Sequence, residues 1–232
     1  MAVEINGVPI TPVHWRPCYR IIPSRFPPIA PYDDVAAPED RDAVFEVESL
    51  TNDRLREAAG EISLITAADR VSGSGSSWIM APFTHLTPGG GRFTDSTFGA
   101  FYAARMRKTA IRETVHHRTR FLREMSAPPT EVDMRVLRTT LHARLHDVRQ
   151  MRDDLPELYD PDDYSQSQRF GRQLHESGSE GVAYDSVRDA DGECVAVYRP
   201  NALSNSKQTE HLGYVWDGEA ITMVYEKKRL KE

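Results

Sequence analysis

Four polar residues stand in or beside predicted ordered elements and are candidates for chemistry: Arg20, Arg92, Glu113 and Ser186. Arginine can hold a phosphate through two parallel hydrogen bonds, and Arg92 directly follows the glycines of GGGRF. Arg20 interrupts an apolar strand, where a buried arginine needs an anionic partner or ligand. Taken singly, each residue also has an ordinary structural explanation. Whether they act together depends on the elements that carry them.

Glu113 lies in KTAIRETVHHRTRFL, which is predicted to form an amphipathic helix over 108–122. Ile111, Val115 and Leu122 share one face, and Glu113 falls nearly opposite Ile111. Seven basic residues surround this single acid between positions 105 and 123: Arg105, Arg107, Lys108, Arg112, Arg118, Arg120 and Arg123. This basic island either attracts an anionic ligand or is a solvated helix face.

Ser186 lies in VAYDSVR, a predicted strand in which Val182, Tyr184, Ser186 and Arg188 share a face. No GxSxG sequence surrounds Ser186, which argues against a hydrolase nucleophile. The loop SGSGSS lacks the Gly-Lys-Ser/Thr ending of a P-loop, and no clear helix is expected after it. The histidines and cysteines lack metal-ligand spacing, so no metal site is predicted.

The other elements are a mixture of strands and helices. We predict strands at IMAPF and FGAFYAA, hairpins in GVAYDSVRDADGECVAVYRP and YVWDGEAITMV, and a helix in SQSQRFGRQLHESG that ends at Gly178. The segment DMRVLRTTLHARLHDVRQM fits a helix or a strand. Strands outnumber helices without regular βαβ alternation, which favours an α+β domain with a largely antiparallel sheet.

Two segments near the N-terminus have a different character. IIPSRFPPIAPYDD is predicted to be an extended loop, because its prolines oppose regular structure. EDRDAVFEVESLTNDRLREAAG indicates helical segments, with Gly60 placed to end the second. No linker long enough to separate two domains is present.

Composition excludes several classes of protein. The 232 residues, with 39% hydrophobic and 28% charged, suit one sizeable soluble domain or two small ones. A net charge of -6 gives no reason to expect non-specific nucleic-acid binding. No apolar run approaches the roughly 20 residues of a membrane helix, and MAVEINGVPI does not read as a signal peptide. Cys18 and Cys194 are expected to be free thiols in a cytoplasmic protein.

The candidate residues and their surroundings resemble the RES-domain family, named for its Arg, Glu and Ser. The resemblance runs from about Arg16 to Gly218 and is carried by YRIIPSRFPP, LTNDRLREAAG, APFTHLTPGGGRFTDSTFGAFYAA, TAIRETVHHRTRFL and GVAYDSVR, in this order. It implies one RES domain over residues 1–232, with a core of about 16–218 and short terminal extensions. It also implies a fold similar to ADP-ribosyltransferases.

The resemblance further implies a toxin of a bacterial type II toxin–antitoxin module. Such a toxin consumes NAD by cleaving its nicotinamide–ribose bond, through hydrolysis or phosphorolysis and without a metal. A cognate Xre-like antitoxin is expected to cover the active site, with the basic island as a candidate landing surface. Two alternatives stay open: a mono-ADP-ribosyltransferase acting on a protein target, and a non-catalytic module that holds the antitoxin. Direct binding to nucleic acid or membrane is not expected.

By motif, the family's catalytic residues correspond to Arg20, Glu113 and Ser186, and its NAD-binding positions to Arg20, Arg92 and Tyr102. The resemblance implies that Glu113 stabilises positive charge on the ribose, as in glycoside cleavage. Arg20 and Arg92 would hold the diphosphate, and Tyr102 would lie against the nicotinamide ring. Ser186 would either bind the ribose or orient Glu113.

Overall fold

The computed structural model describes residues 5–24, 60–228 and 230. Within them are three α-helices, α1 (Ser76–Thr84), α2 (Arg107–Glu124) and α3 (Ser165–Glu176). The strands are β1 (Ile10–Pro23), β2 (Phe101–Ala104), β3 (Thr130–Asp147), β4 (Gly181–Asp185), β5 (Glu193–Val197), β6 (Leu203–Trp216) and β7 (Ile221–Lys227). Short 3-10 helices lie at Ile5–Gly7, Ile62–Leu64, Ala67–Asp69, Pro156–Tyr159 and Pro200–Ala202.

In the described part of the chain, the strands form one sheet in the order β1-β2-β5-β4-β3-β6-β7, with a further pairing between β1 and β3. That pairing makes β1, β2, β5, β4 and β3 a closed ring of neighbours. β3 and β4 are parallel, and the other paired strands are antiparallel. The expectation of an α+β domain with a largely antiparallel sheet is therefore confirmed.

The ambiguous segment around residues 134–151 is a strand up to Asp147. β3 pairs with β1 on one side and β6 on the other, so its backbone donors and acceptors are used across the sheet. Its side chains alternate between two apolar clusters. Met134 and Val136 join a cluster with α2 and α3, whereas Leu141 and Leu145 join a second cluster with α1.

Helix α2 forms where the periodicity predicts it and extends slightly further at both ends. Leu122 is buried, and Ile111 and Val115 are partly buried against the first apolar cluster. Thr114 adds a polar tie, because its hydroxyl lies 2.7 Å from the hydroxyl of Tyr214 on β6. The apolar face of α2 is thus fixed to the sheet, which determines where its opposite face points.

The helix predicted in SQSQRFGRQLHESG is confirmed as α3, which ends at Glu176 and not at Gly178, and both predicted hairpins are confirmed. The strand predicted in FGAFYAA is confirmed as β2, which covers only its last four residues. The predicted strand at IMAPF is wrong, because these residues belong to α1. The expectation that no helix follows SGSGSS is wrong for the same reason. Gly75, at φ 83°, turns the chain into the helix, and a run of five apolar residues cannot distinguish a strand from a buried helix.

The structure tests only part of two further predictions near the N-terminus. Ile21, Ile22 and Pro23 belong to β1, so the predicted loop IIPSRFPPIAPYDD is wrong at its start. Its remainder after Ser24, and the helical segments predicted before Gly60, lie outside the described residues. Both cysteines are free and buried. Across residues 5–24 and 60–228, no helix has the length and apolarity needed to span a bilayer.

Candidate active site

A cleft of about 530 Å³ lies between β1, the segment 82–104 and α2. Its volume is in the range of small-molecule sites. Four of the five predicted site residues line it: Arg20 from β1, Arg92 from the glycine loop, Tyr102 from β2 and Glu113 from α2. The fold thus brings to one cavity four side chains that are up to 93 positions apart in sequence.

Glu113 lines this cleft, although the helical pattern alone also fits a solvated glutamate. Its side chain is only partly exposed, and its Oε1 accepts a hydrogen bond of 2.5 Å from the hydroxyl of Ser186. The cleft face of α2 also carries Ala110 and His117, which lie three residues before and four residues after Glu113. The carboxylate is therefore held from behind by a hydrogen bond and faces the cavity.

Ser186 is buried and does not line the cleft. Its predicted place within a strand is wrong, because β4 ends at Asp185 and Ser186 begins the connection to β5. The hydroxyl oxygen accepts hydrogen bonds from the backbone N–H groups of Arg188, at 3.1 Å, and Asp189, at 3.0 Å. Such a hydroxyl bonding to backbone two and three residues later turns the chain out of the strand.

Arg20 projects from β1 into the opposite wall of the cleft. Its Nη1 donates to the carbonyl of Tyr102 at 3.0 Å, and its guanidinium lies 5.0 Å from the ring centre of Phe101. Burial lowers the pKa of Arg20 to about 10, so the side chain is still charged at neutral pH. Neither of these contacts neutralises its charge.

Arg92 is buried in the cleft wall, and it is held by backbone carbonyls. Its Nη1 donates to the carbonyls of Leu158, at 3.1 Å, and Asp160, at 2.7 Å. Its guanidinium stacks over the ring of Tyr164 at 4.4 Å, and Arg120 approaches the same ring at 5.7 Å. These contacts fix the orientation of Arg92, and the carboxylate of Asp160 also interacts electrostatically with its guanidinium.

Tyr102 joins the glycine loop to the cleft. Its hydroxyl oxygen accepts the N–H of Phe93 at 2.9 Å and lies 3.1 Å from the hydroxyl of Thr94. Gly91 packs so closely on this ring that a Cβ there would come within 2.7 Å of the tyrosine oxygen. The ring therefore supports the loop that carries Arg92, and burial raises the pKa of its hydroxyl to about 12.

His117 and Tyr164 also line the cleft, and neither is among the site residues predicted from the sequence. The signal for His117 is its position four residues after Glu113 on the helix. Burial, followed by the positive charge of neighbouring groups including Arg120 and Arg188, lowers the pKa of His117 to about 4. His117 is therefore neutral at pH 7. Tyr164, which sits between two arginines, carries no comparable signal in the sequence.

The basic island of α2 is largely paired in three dimensions. Arg105 pairs with Glu193, Arg107 with Glu210, and Arg112 with Asp189, each far away in sequence. Arg118 and Arg120 line the cleft, where Arg120 also lies 3.6 Å from a carboxylate oxygen of Glu124. The two explanations of the island thus apply to different members, because the residues up to Arg112 make ion pairs with distant parts of the chain, whereas Arg118 and Arg120 bring positive charge to the cavity.

Three comparisons place the chain among known proteins. A protein described as "Uncharacterized protein y4oC" from Sinorhizobium fredii (strain NBRC 101917 / NGR234) is 35% identical over 209 residues, which cover 89% of this chain and 86% of that protein. A structure described as the crystal structure of the M. tuberculosis MbcT-MbcA toxin-antitoxin complex has 15% identity and a TM-score of 0.48, and the match covers 88% and 89% of the two chains. The family model described as the RES domain matches residues 67–217, which include Arg92, Tyr102, Glu113 and Ser186. The chain belongs to the RES-domain family.

Proposed function

We propose that this protein is the toxin of a toxin–antitoxin module and consumes NAD by cleaving the nicotinamide–ribose bond. Family membership supports an NAD-directed activity. The observation that carries the proposal is the position of Glu113, a carboxylate held by Ser186 in the wall of a cleft that also contains Arg20 and Arg92. Glu113 offers a fixed negative charge to a reacting centre, and the arginines of the cleft offer positive charges to the rest of an anionic ligand.

The carboxylate suits the charge that this reaction develops. As nicotinamide leaves, positive charge builds on the ribose ring, as it does in glycoside cleavage. In the proposed mechanism, Glu113 stabilises that charge and accepts a hydrogen bond from a ribose hydroxyl. A fixed carboxylate is more effective than a mobile one, because it need not reorganise during the reaction. The bond to Ser186 provides that fixation.

The positive side of the cleft suits the two charges of the NAD diphosphate. Arg20 and Arg92 donate to backbone carbonyls, which orient both guanidinium groups without neutralising them. The carboxylate that interacts with Arg92, that of Asp160, is exposed. A diphosphate bound in the cleft would add negative charge beside both arginines. Tyr102 is proposed to lie against the nicotinamide or its ribose through the ring, since its hydroxyl is used by the glycine loop.

Ser186 is proposed to orient Glu113 and not to bind ribose. Its oxygen already accepts two backbone N–H groups, so its single proton is directed at Glu113. We further propose that residues 1–232 form one RES domain and that an Xre-like antitoxin covers the cleft. Arg118 and Arg120 at the cleft would then attract acidic or C-terminal groups of that antitoxin.

Product analysis after incubation with NAD tests the proposal. The purified protein should release nicotinamide, together with ADP-ribose in water alone or a phosphorylated ADP-ribose when phosphate is added. Glu113→Gln should lower this activity about 100- to 1,000-fold, whereas Glu176→Gln, an exposed glutamate at the end of α3 that does not line the cleft, should preserve it. Turnover that requires cell extract and labels a discrete protein would instead establish a protein ADP-ribosyltransferase.

Expression without antitoxin provides the corresponding test in cells. Cellular NAD should fall before growth stops, and Glu113→Gln should prevent both effects. Growth arrest at unchanged NAD would exclude consumption of free NAD. If the Glu113→Gln variant remained fully toxic, the non-catalytic antitoxin-binding module would be the better explanation.

A further inference from the structure

The turn that joins β4 to β5, residues 186–192, is fastened to the first turns of α2 by Asp189. This side chain is buried, and both of its oxygens are used. Oδ2 accepts the hydroxyl of Thr109 at 2.8 Å, and Oδ1 accepts Nη1 of Arg112 at 2.5 Å. Lys108 approaches Oδ1 at 3.6 Å. All three partners come from one helix, so the Asp189 side chain ties this turn to α2.

The same residue also contacts Ser186 directly. The backbone N–H of Asp189 donates to the hydroxyl oxygen of Ser186, as does that of Arg188. With both acceptor positions of that oxygen taken, the hydroxyl proton has one remaining direction, toward Oε1 of Glu113. Asp189 therefore touches both sides of the Ser186–Glu113 hydrogen bond. Its backbone holds the donor, and its side chain holds the helix that carries the acceptor.

The turn is closed by backbone hydrogen bonds and packs directly against α2. Ser186 donates its backbone N–H to the carbonyl of Gly192 at 2.7 Å, and Gly192 donates to the carbonyl of Asp189 at 2.8 Å. A Cβ at Gly192 would lie 2.4 Å from Cγ2 of Thr109 and 3.0 Å from the Cβ atoms of both Asp189 and Ser186. The turn and the helix are thus in direct contact, and a shift of one displaces the other.

We infer that Asp189 is a positioning residue for the carboxylate of Glu113, acting through the hydroxyl of Ser186. This inference rests on the proposed function for its effect on turnover, but its structural content is independent of that function. Burial alone would raise the pKa of Asp189, but the hydrogen bond from Thr109 and the charges of Arg112 and Lys108 lower it overall. The Asp189 side chain, which acts as a clamp between the turn and α2, is accordingly an ionised carboxylate under ordinary conditions.

Two substitutions at Asp189 remove different numbers of the hydrogen-bond acceptors that form the clamp. Asp189→Ala removes both acceptors and should lower kcat about 10- to 100-fold with little change in KM, because a small misplacement of a reacting group is costly. Asp189→Asn keeps one oxygen for Thr109 and should retain more activity than alanine. The matched control is Arg105→Ala, which removes a surface ion pair to Glu193 on the same hairpin without touching the turn. The control should keep the kcat of the unmodified protein.

A double-mutant cycle separates positioning from general stabilisation. If Asp189 acts through Ser186, adding Asp189→Ala to Ser186→Ala should cause no further loss of kcat. Independent losses that multiply would overturn the inference. So would a loss in Asp189→Ala that is restored simply by lowering the temperature, since that would reflect unfolding.

Crystal structures of the variants distinguish failure of the clamp from failure of the proposed function. In Asp189→Ala, the hydrogen bond between Ser186 and Glu113 should be lost or lengthened, whereas Arg105→Ala should retain it. An unchanged hydrogen bond in Asp189→Ala would overturn the inference whatever reaction the protein catalyses. Conversely, absence of NAD cleavage by the unmodified protein would reject the proposed function. The crystal structures would then decide on their own whether Asp189 positions Glu113.

Discussion

The two walls of the cleft hold their charged groups in opposite ways. On the α2 wall, Glu113 accepts a hydrogen bond from a buried hydroxyl, which is itself held by backbone N–H groups. On the wall formed by β1 and the glycine loop, Arg20 and Arg92 donate to backbone carbonyls and contact aromatic rings. Hydrogen-bond donors thus hold the carboxylate of Glu113, whereas the two guanidinium groups donate to neutral backbone carbonyls.

This difference assigns different tasks to the walls. Neutral carbonyls orient an arginine but leave its charge to act on a ligand, which suits binding of an anion. A carboxylate fixed by hydrogen-bond donors keeps one position, which suits stabilisation of charge at a defined atom. Changes to the α2 wall should therefore affect turnover, and changes to the other wall should affect binding.

The largest effect on activity is expected from a substitution at Glu113, which directly tests whether the α2 wall controls turnover. Glu113→Gln keeps the size of the side chain and an acceptor for Ser186, but it removes the charge. We expect kcat for NAD cleavage to fall by about 100- to 1,000-fold, the scale of losing one preorganised electrostatic group. Steady-state kinetics and thermal melting should show this loss with an almost unchanged Tm. An equal rise in KM would contradict the separation of tasks.

Paired glycine substitutions compare the turn that packs against α2 with the open first position of the glycine loop. Gly192→Ala places a Cβ 2.4 Å from Thr109, so we expect a loss of about 1–3 kcal/mol in the free energy of unfolding. Gly89→Ala in the glycine loop meets nothing within 4 Å and should change stability by less than about 0.5 kcal/mol. Denaturant unfolding measures both. Similar losses in both variants would contradict tight packing of the turn against α2.

Arg20→Lys tests the binding wall with the charge retained. Lysine lacks the planar fork that reaches both Tyr102 and a ligand, so KM for NAD should rise about tenfold, or about 1.4 kcal/mol, with a smaller change in kcat. Initial-rate kinetics together with direct titration of NAD provides the measurement. A variant that loses kcat while keeping KM would place Arg20 in the chemical step.

The smallest expected effect is a pH dependence of stability at His117. Its folded pKa of about 4 lies below the usual value of 6.5, so the unfolded chain binds more protons between these values. The free energy of unfolding should therefore fall as the pH decreases through this window, by on the order of 1 kcal/mol between pH 7 and pH 5. Substituting His117→Gln should flatten that dependence. Unfolding curves that respond to pH equally in both proteins would show that His117 is not the responsible group.

The sequence predicts best those elements that the local pattern of apolar residues determines. The helical period of Ile111, Val115 and Leu122 predicts α2, and Glu113 then falls on another face. Periodicity cannot show whether that face meets solvent or a cavity, because β1 and the glycine loop decide it. The resemblance to the RES family, and not the periodicity, predicts that Glu113 is a site residue.

Other features depend on contacts that no local pattern records. DADG reads as an ordinary turn, yet Asp189 is buried because Thr109 and Arg112, 80 and 77 positions away, contact it. Ser186 leaves the predicted strand because its hydroxyl bonds to the following backbone. The five residues of IMAPF fit both strand and helix, and the apolar cluster packed around α1 determines the outcome.

The closure of the strand ring between β1 and β2 has a consequence for motion. These strands share one residue pair, Tyr19 with Ala104, whereas β1 and β3 pair at twelve positions. Local opening should therefore begin at this seam, where few backbone hydrogen bonds must break. Amide hydrogen exchange should be faster there than along β1 and β3. Because the seam separates Arg20 from the chain leading into α2, a ligand bound to both walls should slow that exchange and act as a latch.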